Sequence, residues 1–255
     1  MNFILSADTD IGTTKNTNQD SFCAQVLETP MGKMVFAVLC DGMGGLEKGE
    51  LASATVVHAY KNWAGSRLSD LCASGFSDAD IRQDWVNIAL ECNEKIKLYG
   101  SRSGVSLGTT VTVVLLTEKR YYILNVGDTR AYEISDAVHI LTHDQTVVAH
   151  EIELGHITPE EAETDSRRSV LLQCVGASDA VYPDMFFGDV QQNAVYMLCT
   201  DGFRHEISAD EMYQYLNAGQ MLNAEGMQSN IRALINLDMQ RQERDNITAI
   251  AIRTF

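Results

Sequence analysis

Proline is scarce in this chain: three residues in 255. With no Pro-rich or low-complexity stretch there is little room for an inter-domain linker. No internal repeat is visible. The length suits one large domain or two small ones. Basic residues are also few. Nineteen Lys and Arg against 35 Asp and Glu leave a formal net charge of −16. That argues against nucleic acid as a partner, because a phosphate backbone needs neutralising cations. The six cysteines are Cys23, Cys40, Cys72, Cys92, Cys174 and Cys199, and no pair has C-x-x-C spacing. Zinc and thioredoxin-like chemistry therefore lack their pattern. Most of the cysteines lie in apolar runs, where a free thiol behaves as a small hydrophobe. The N-terminus has no basic region and only Phe3-Ile4-Leu5 as an apolar stretch. No signal peptide and no membrane-spanning run is apparent, so a reduced cytoplasm is the expected location.

What is present is apolar. Hydrophobic residues make up 45% of the chain, enough for a real core. β-Branched and apolar runs predict strands at Phe3–Asp8, Phe22–Leu27, Met34–Leu39, Thr110–Leu116, Tyr121–Val126, Ala131–Ile134, Val138–Leu141, Tyr182–Val190, Ala194–Cys199 and Ile247–Arg253. Short connections such as Glu118-Lys-Arg and Ser135-Asp-Ala read as hairpins, hence antiparallel sheets. Helical periodicity appears at Lys48–Trp63, Asp80–Tyr99, Ala209–Asn217 and Met221–Met239. Residues 64–77 read as an inter-helix connection. Thr158-Pro159-Glu160-Glu161 is a helix start with a capping box, inside a short helical stretch at 144–178. Helices in pairs between strand clusters favour two packed antiparallel sheets with helices outside, an α+β arrangement, over βαβ units.

Six aspartates sit in short motifs spread along the chain. Val38-Leu-Cys-Asp41-Gly42-Met43-Gly44-Gly45 is an apolar run ending in Asp and glycines, which allow close backbone approach. Tyr196-Met-Leu-Cys-Thr-Asp201-Gly202 repeats the device, and Arg244-Asp245-Asn246 leads into a strand. Carboxylates held at strand ends are what an all-oxygen Mg²⁺ or Mn²⁺ centre requires. Each Asp alone reads more readily as a turn or cap residue.

Taken in order, these motifs resemble the metal-dependent, type-2C class of Ser/Thr protein phosphatases over almost all of residues 6–252. Asp10-Ile-Gly12-Thr-Thr-Lys15-Asn-Thr-Asn-Gln19-Asp20 looks like the family's first block, and Asp41-Gly-Met-Gly-Gly its second. Gly108-Thr109-Thr110, Gly127-Asp128-Thr129-Arg130, Asp201-Gly202 and Asp245-Asn246 follow in sequence. The resemblance implies a four-layer α-β-β-α sandwich over 1–255, with a flap subdomain at about 144–178. It implies a signalling hydrolase acting on phosphoserine and phosphothreonine through water activated by Mn²⁺ or Mg²⁺. Phosphorylated proteins would be its partners, a Ser/Thr kinase among them, with no nucleic acid or membrane.

Site roles follow from the same resemblance. Asp41 would bridge two tightly held metals, with the Gly42 carbonyl available to one. Asp201 and Asp245 would hold the other, and Asp20 would sit close by as ligand or through water. Lys15 stands where the family usually has an Arg for the substrate phosphate, supplying charge without the bidentate fork. Gln19 replaces a common Glu. Met43 stands where many eukaryotic members have a His, and looks normal for the bacterial branch. Asp128 has two open roles: ligand of a third, weaker metal, or brace of a tight turn beside Arg130. His205 is a speculative proton donor outside the catalytic set, and His143 and Gln145 depart from the usual opening of the flap. Two rivals stand beside a protein phosphatase: a catalytically silent binding module of the same fold, and a hydrolase of small phosphoesters.

Overall fold

The computed structural model describes residues 1–43 and 48–255. Gly44 and Gly45 of the Asp41 motif therefore lie outside the described residues. In chain order the strands are β1 (Phe3–Asp10), β2 (Ser21–Thr29), β3 (Gly32–Cys40), β4 (Gly42–Met43), β5 (Gly108–Thr109), β6 (Val111–Leu116), β7 (Arg120–Val126), β8 (Arg130–Ile134), β9 (Val138–Ile140), β10 (Asp184–Asp189), β11 (Val195–Cys199) and β12 (Ile247–Thr254). The helices are α1 (Gly49–Gly65), α2 (Arg67–Ser74), α3 (Asp78–Ser103), α4 (Val147–Glu153), α5 (Pro159–Thr164), α6 (Asp201–Arg204), α7 (Ala209–Leu216) and α8 (Ala224–Gln240).

One sheet runs β1-β12-β11-β8-β9 and the other β10-β7-β6-β3-β2, with β4 and β5 as a separate ribbon. All of these strand pairs are antiparallel, including the predicted β6–β7 and β8–β9 hairpins. Strand β3 explains why the strands read as unbroken apolar runs. Met34, Phe36, Val38 and Cys40 join the core under α1, α2 and α3. Val35, Ala37 and Leu39 join the layer between the sheets. A strand covered on both faces has no solvent side, so its period-two polarity disappears. Strand β12 divides the same way: Ile247, Ala249 and Ala251 pack with α6, α7 and α8, while Ile250 and Ile252 enter the inter-sheet layer. Three apolar layers thus separate four layers of structure, the predicted α-β-β-α sandwich.

Helix starts follow local chemistry. Ser77 and Asp80, Thr158 and Glu161, and Ser208 and Glu211 form reciprocal capping boxes on α3, α5 and α7. The stretch 64–77, expected as a connection, instead holds α2. Leu68, Leu71 and Cys72 are buried at i, i+3, i+4 spacing. Three apolar residues among Ser, Asp and Arg are too short a period to stand out in sequence. Residues 144–178 carry α4 and α5 and are tied back by a bridge between Thr109 and Val175. No helix among the described residues is long and apolar enough to cross a membrane. All six cysteines are free thiols, five of them buried.

Candidate active site

The antiparallel registers bring distant segments to one end of the sandwich. Ser21 pairs with Cys40, which sets Asp20 beside Asp41. Cys199 pairs with both Arg130 and Ala249, which sets Asp201 between the Asp128 turn and the approach to β12. Side chains then lock these ends together. The Asp41 N–H donates to Thr110 Oγ1 at 2.9 Å, and its carbonyl accepts from Thr109 Oγ1 at 2.8 Å. Thr110 Oγ1 lies 2.7 Å from Thr129 Oγ1, joining Asp41 to the Asp128 turn. On the other side, Asn246 accepts from the Gln19 N–H at 2.8 Å and donates to the Ile11 carbonyl at 2.9 Å. That pins the loop carrying Lys15 against β12.

Two glycines are demanded by crowding. Gly12 has φ +77°, and a Cβ there would overlap the Asp245 carbonyl. A Cβ on Gly42 would overlap the backbone oxygens of Gln19 and Gly49. The Gln19 amide fits with its nitrogen toward Gly42 O (3.2 Å) and its oxygen toward Gly49 N (3.1 Å).

Lys15, Asp41, Gly42, Asp128, Asp201 and Asp245 all line one cavity of about 430 Å³, together with Gln19, Met43 and Ser169. Asp20 sits behind them. Its Oδ2 accepts from Thr248 Oγ1 at 2.6 Å and Thr200 Oγ1 at 3.2 Å. Lys15 Nζ lies 2.7 Å from Asp245 Oδ1.

Concentrated negative charge dominates the electrostatics. Burial, then Asp20, Asp201, Asp128 and Asp245, push the Asp41 carboxyl well above the usual range. Burial and Asp201 raise Asp20 to about 7, against the lowering effect of Thr248. Burial and Asp201 raise Asp128 to about 7 as well, with Arg204 pulling the other way. Burial would lower the Lys15 pKa, but the hydrogen bond to Asp245 and the nearby carboxylates carry it upward.

This donor set fits a hard divalent cation. Asp20 Oδ1 and Asp201 Oδ1 are buried with no hydrogen-bond partner, which is costly unless something binds there. All the donors are oxygens, the preference of Mg²⁺ and Mn²⁺. Among the described residues no three His, Cys, Asp or Glu side chains close into a finished cage. Ions of this kind commonly complete their shells with water.

Arg204 had no local signal in sequence. Arg204 Nη2 donates to the Asp128 carbonyl at 3.0 Å, with Asp128 Oδ2 at 3.6 Å and Asp144 Oδ2 at 3.4 Å. Arg130 grips Asp144 through two bonds of 2.7 and 2.8 Å. Gln145 accepts from the Gly127 N–H at 2.8 Å and donates to Asp184 Oδ2 at 2.8 Å. His143 stacks edge-on against Phe186. His205 lines a neighbouring cavity, not the one lined by Lys15 and Asp41. Burial would lower its pKa, but Glu243 and Asp201 carry it above its ordinary value.

Residues 12–236 match the family model described as protein phosphatase 2C. The chain belongs to that family. Among its relatives is the serine/threonine phosphatase stp of Listeria monocytogenes. It is 28% identical over 255 residues, covering 93% of this chain and 97% of that protein. The crystal structure of the Mycobacterium tuberculosis serine/threonine phosphatase PstP/Ppp superposes with a TM-score of 0.81 at 26% identity, covering 99% and 98% of the two chains. A structure of the PstP catalytic domain in complex with two manganese ions superposes with a TM-score of 0.76 at 25% identity, covering 99% of each chain. The motif-based expectation of a metal-dependent protein phosphatase agrees with this protein phosphatase 2C membership.

Proposed function

We propose that this protein phosphatase 2C chain hydrolyses phosphoserine and phosphothreonine in proteins at a centre that binds two Mn²⁺ or Mg²⁺ ions. The single observation that carries the proposal is the convergence of Lys15, Asp41, Asp128, Asp201 and Asp245 on one cavity. Asp41, Asp201, Asp245 and the Gly42 carbonyl would hold the ions, with Asp20 behind them. Asp128 would receive a weaker third ion. When bound, such ions neutralise the transferring phosphoryl group and acidify water.

The chain's own residues supply the rest. Lys15 meets a phosphate oxygen at the mouth of the cavity. Gln19 lines the same cavity and can orient water through its amide. Met43 lines it too and cannot donate a proton, so the leaving alkoxide takes its proton from water. Residues 1–255 act as one catalytic domain, with 144–178 as the flap beside the cavity. Phosphorylated proteins in the cytoplasm are the substrates, and a Ser/Thr kinase is the opposing enzyme.

Hydrolysis of a phosphothreonine peptide with added Mn²⁺, compared with excess chelator, tests this directly. Full turnover in chelator would sink the mechanism, and preference for small phosphate esters over the peptide would favour a small-ester hydrolase. Lys15→Ala should lower kcat/KM on the peptide about ten- to a hundredfold, since a charge-assisted contact contributes ~1.5–3 kcal/mol. Lys15→Arg should match or exceed wild type. Wild-type kinetics in Lys15→Ala would make Lys15 a surface residue.

A further inference from the structure

His205 is the residue after the four-residue helix α6, whose first residue is Asp201. Its ring reaches two carboxylates. Nε2 lies 3.4 Å from Asp201 Oδ2, and Nδ1 lies 3.2 Å from Glu243 Oε2. The two oxygens of Asp201 are therefore unlike: Oδ2 faces the imidazole, while Oδ1 is buried without a partner. Glu243 is itself buried, and its other oxygen accepts from the Arg244 N–H at 2.7 Å and the Asp245 N–H at 2.8 Å. One glutamate thus reaches Asp201 through the histidine ring and Asp245 through the backbone.

We propose that His205, anchored by Glu243, is a positioning residue for metal capture, holding Asp201 Oδ2 and leaving Oδ1 free for the ion. This rests on the metal centre proposed above. The Glu243–His205 pair sets the separation of Asp201 and Asp245 from outside the cavity. A carboxylate free to rotate would lose that rotational freedom each time an ion binds, and its remaining oxygen would need a new partner. Groups that orient a metal ligand in this way typically contribute ten- to a hundredfold in affinity. His205 does not line the cavity where the phosphate would sit, so it is not placed to protonate the leaving group.

The test is calorimetric titration of chelator-stripped protein with Mn²⁺, alongside phosphopeptide kinetics at saturating Mn²⁺. His205→Ala should weaken Mn²⁺ binding about ten- to a hundredfold, while KM for the peptide at saturating Mn²⁺ stays near wild type. His205→Gln, which keeps one N–H donor and similar bulk, should recover part of the affinity, and it carries the test if the alanine variant does not fold. Adding Glu243→Gln to His205→Ala should weaken binding less than the two single effects combined, because the two residues act as one unit. Wild-type Mn²⁺ affinity in His205→Ala, whatever its melting temperature, would overturn the proposal. So would a fall in kcat at saturating Mn²⁺ with affinity unchanged, which is the signature of a proton donor. Failure of the wild-type protein to bind Mn²⁺ would remove the metal centre and this role together.

Discussion

Asp41→Ala and Asp201→Ala should each lose phosphopeptide hydrolysis almost completely, by about a thousandfold or more at saturating Mn²⁺. Charge neutralisation by bound ions contributes several kcal/mol to the transition state, and each ~1.4 kcal/mol is tenfold in rate. Asp41 is crowded by other carboxylates, with Asp20, Asp201, Asp128 and Asp245 all acting on it. Removing it should therefore leave the fold intact, and in chelator should raise the melting temperature. Steady-state kinetics and thermal melts read the two effects separately. Near-normal rates in either variant would refute the assigned cradle. Lost rates with an unfolded protein would point to packing instead.

Stripped of divalent ions, the protein should lose stability as pH rises. In the folded chain burial and neighbouring carboxylates push Asp20 and Asp128 up to about 7 and Asp41 well above the usual carboxylate range. A group whose folded pKa is raised favours the folded state fully below its unfolded pKa, and the advantage disappears as pH rises through the folded pKa. The window therefore runs from about pH 4 to somewhat above pH 7. In chelator the melting temperature at pH 8 should fall below that at pH 5 by roughly 5 °C or more. Mn²⁺ added at pH 8 should reverse the loss, because it binds the folded cluster and not the unfolded chain. Asp128→Asn should flatten the pH dependence by removing one of the three carboxylates. A chelated protein that is equally stable at both pH values would show that the cluster carries little repulsion.

Cations already sit against the carboxylate cluster. Lys15 pairs with Asp245 at 2.7 Å, so part of its charge already serves the carboxylates. Arg204 sits against Asp128 and Asp144, a fixed cation beside the carboxylate proposed for a third ion. With Arg130 it also fastens Asp144, the first residue of the 144–178 segment, to β8 and to α6, the helix that Asp201 begins. Gln145 is a structural joint here, bonded to Gly127 and Asp184.

Sequence by itself determined the strands, the main helices and the identity of the cavity-lining carboxylates. These depend on neighbours within a few positions: an apolar run, a capping box, or an Asp-Gly after a strand. The ordered set of such motifs was enough to name the family. Where the local period is short, as at Leu68, Leu71 and Cys72 in α2, three apolar residues carry too little signal to mark a helix. Only the tertiary structure decided what each carboxylate faces. Asp20 meets Thr200 and Thr248, Asn246 holds Ile11 and Gln19, and His205 joins Asp201 to Glu243. These partners are separated by up to about the length of the chain, and strand order alone makes them adjacent. A side chain's local pattern says whether it lies at a strand end. Which other ends it meets is set by the registers of two sheets closing on each other, and no short stretch of sequence contains that information.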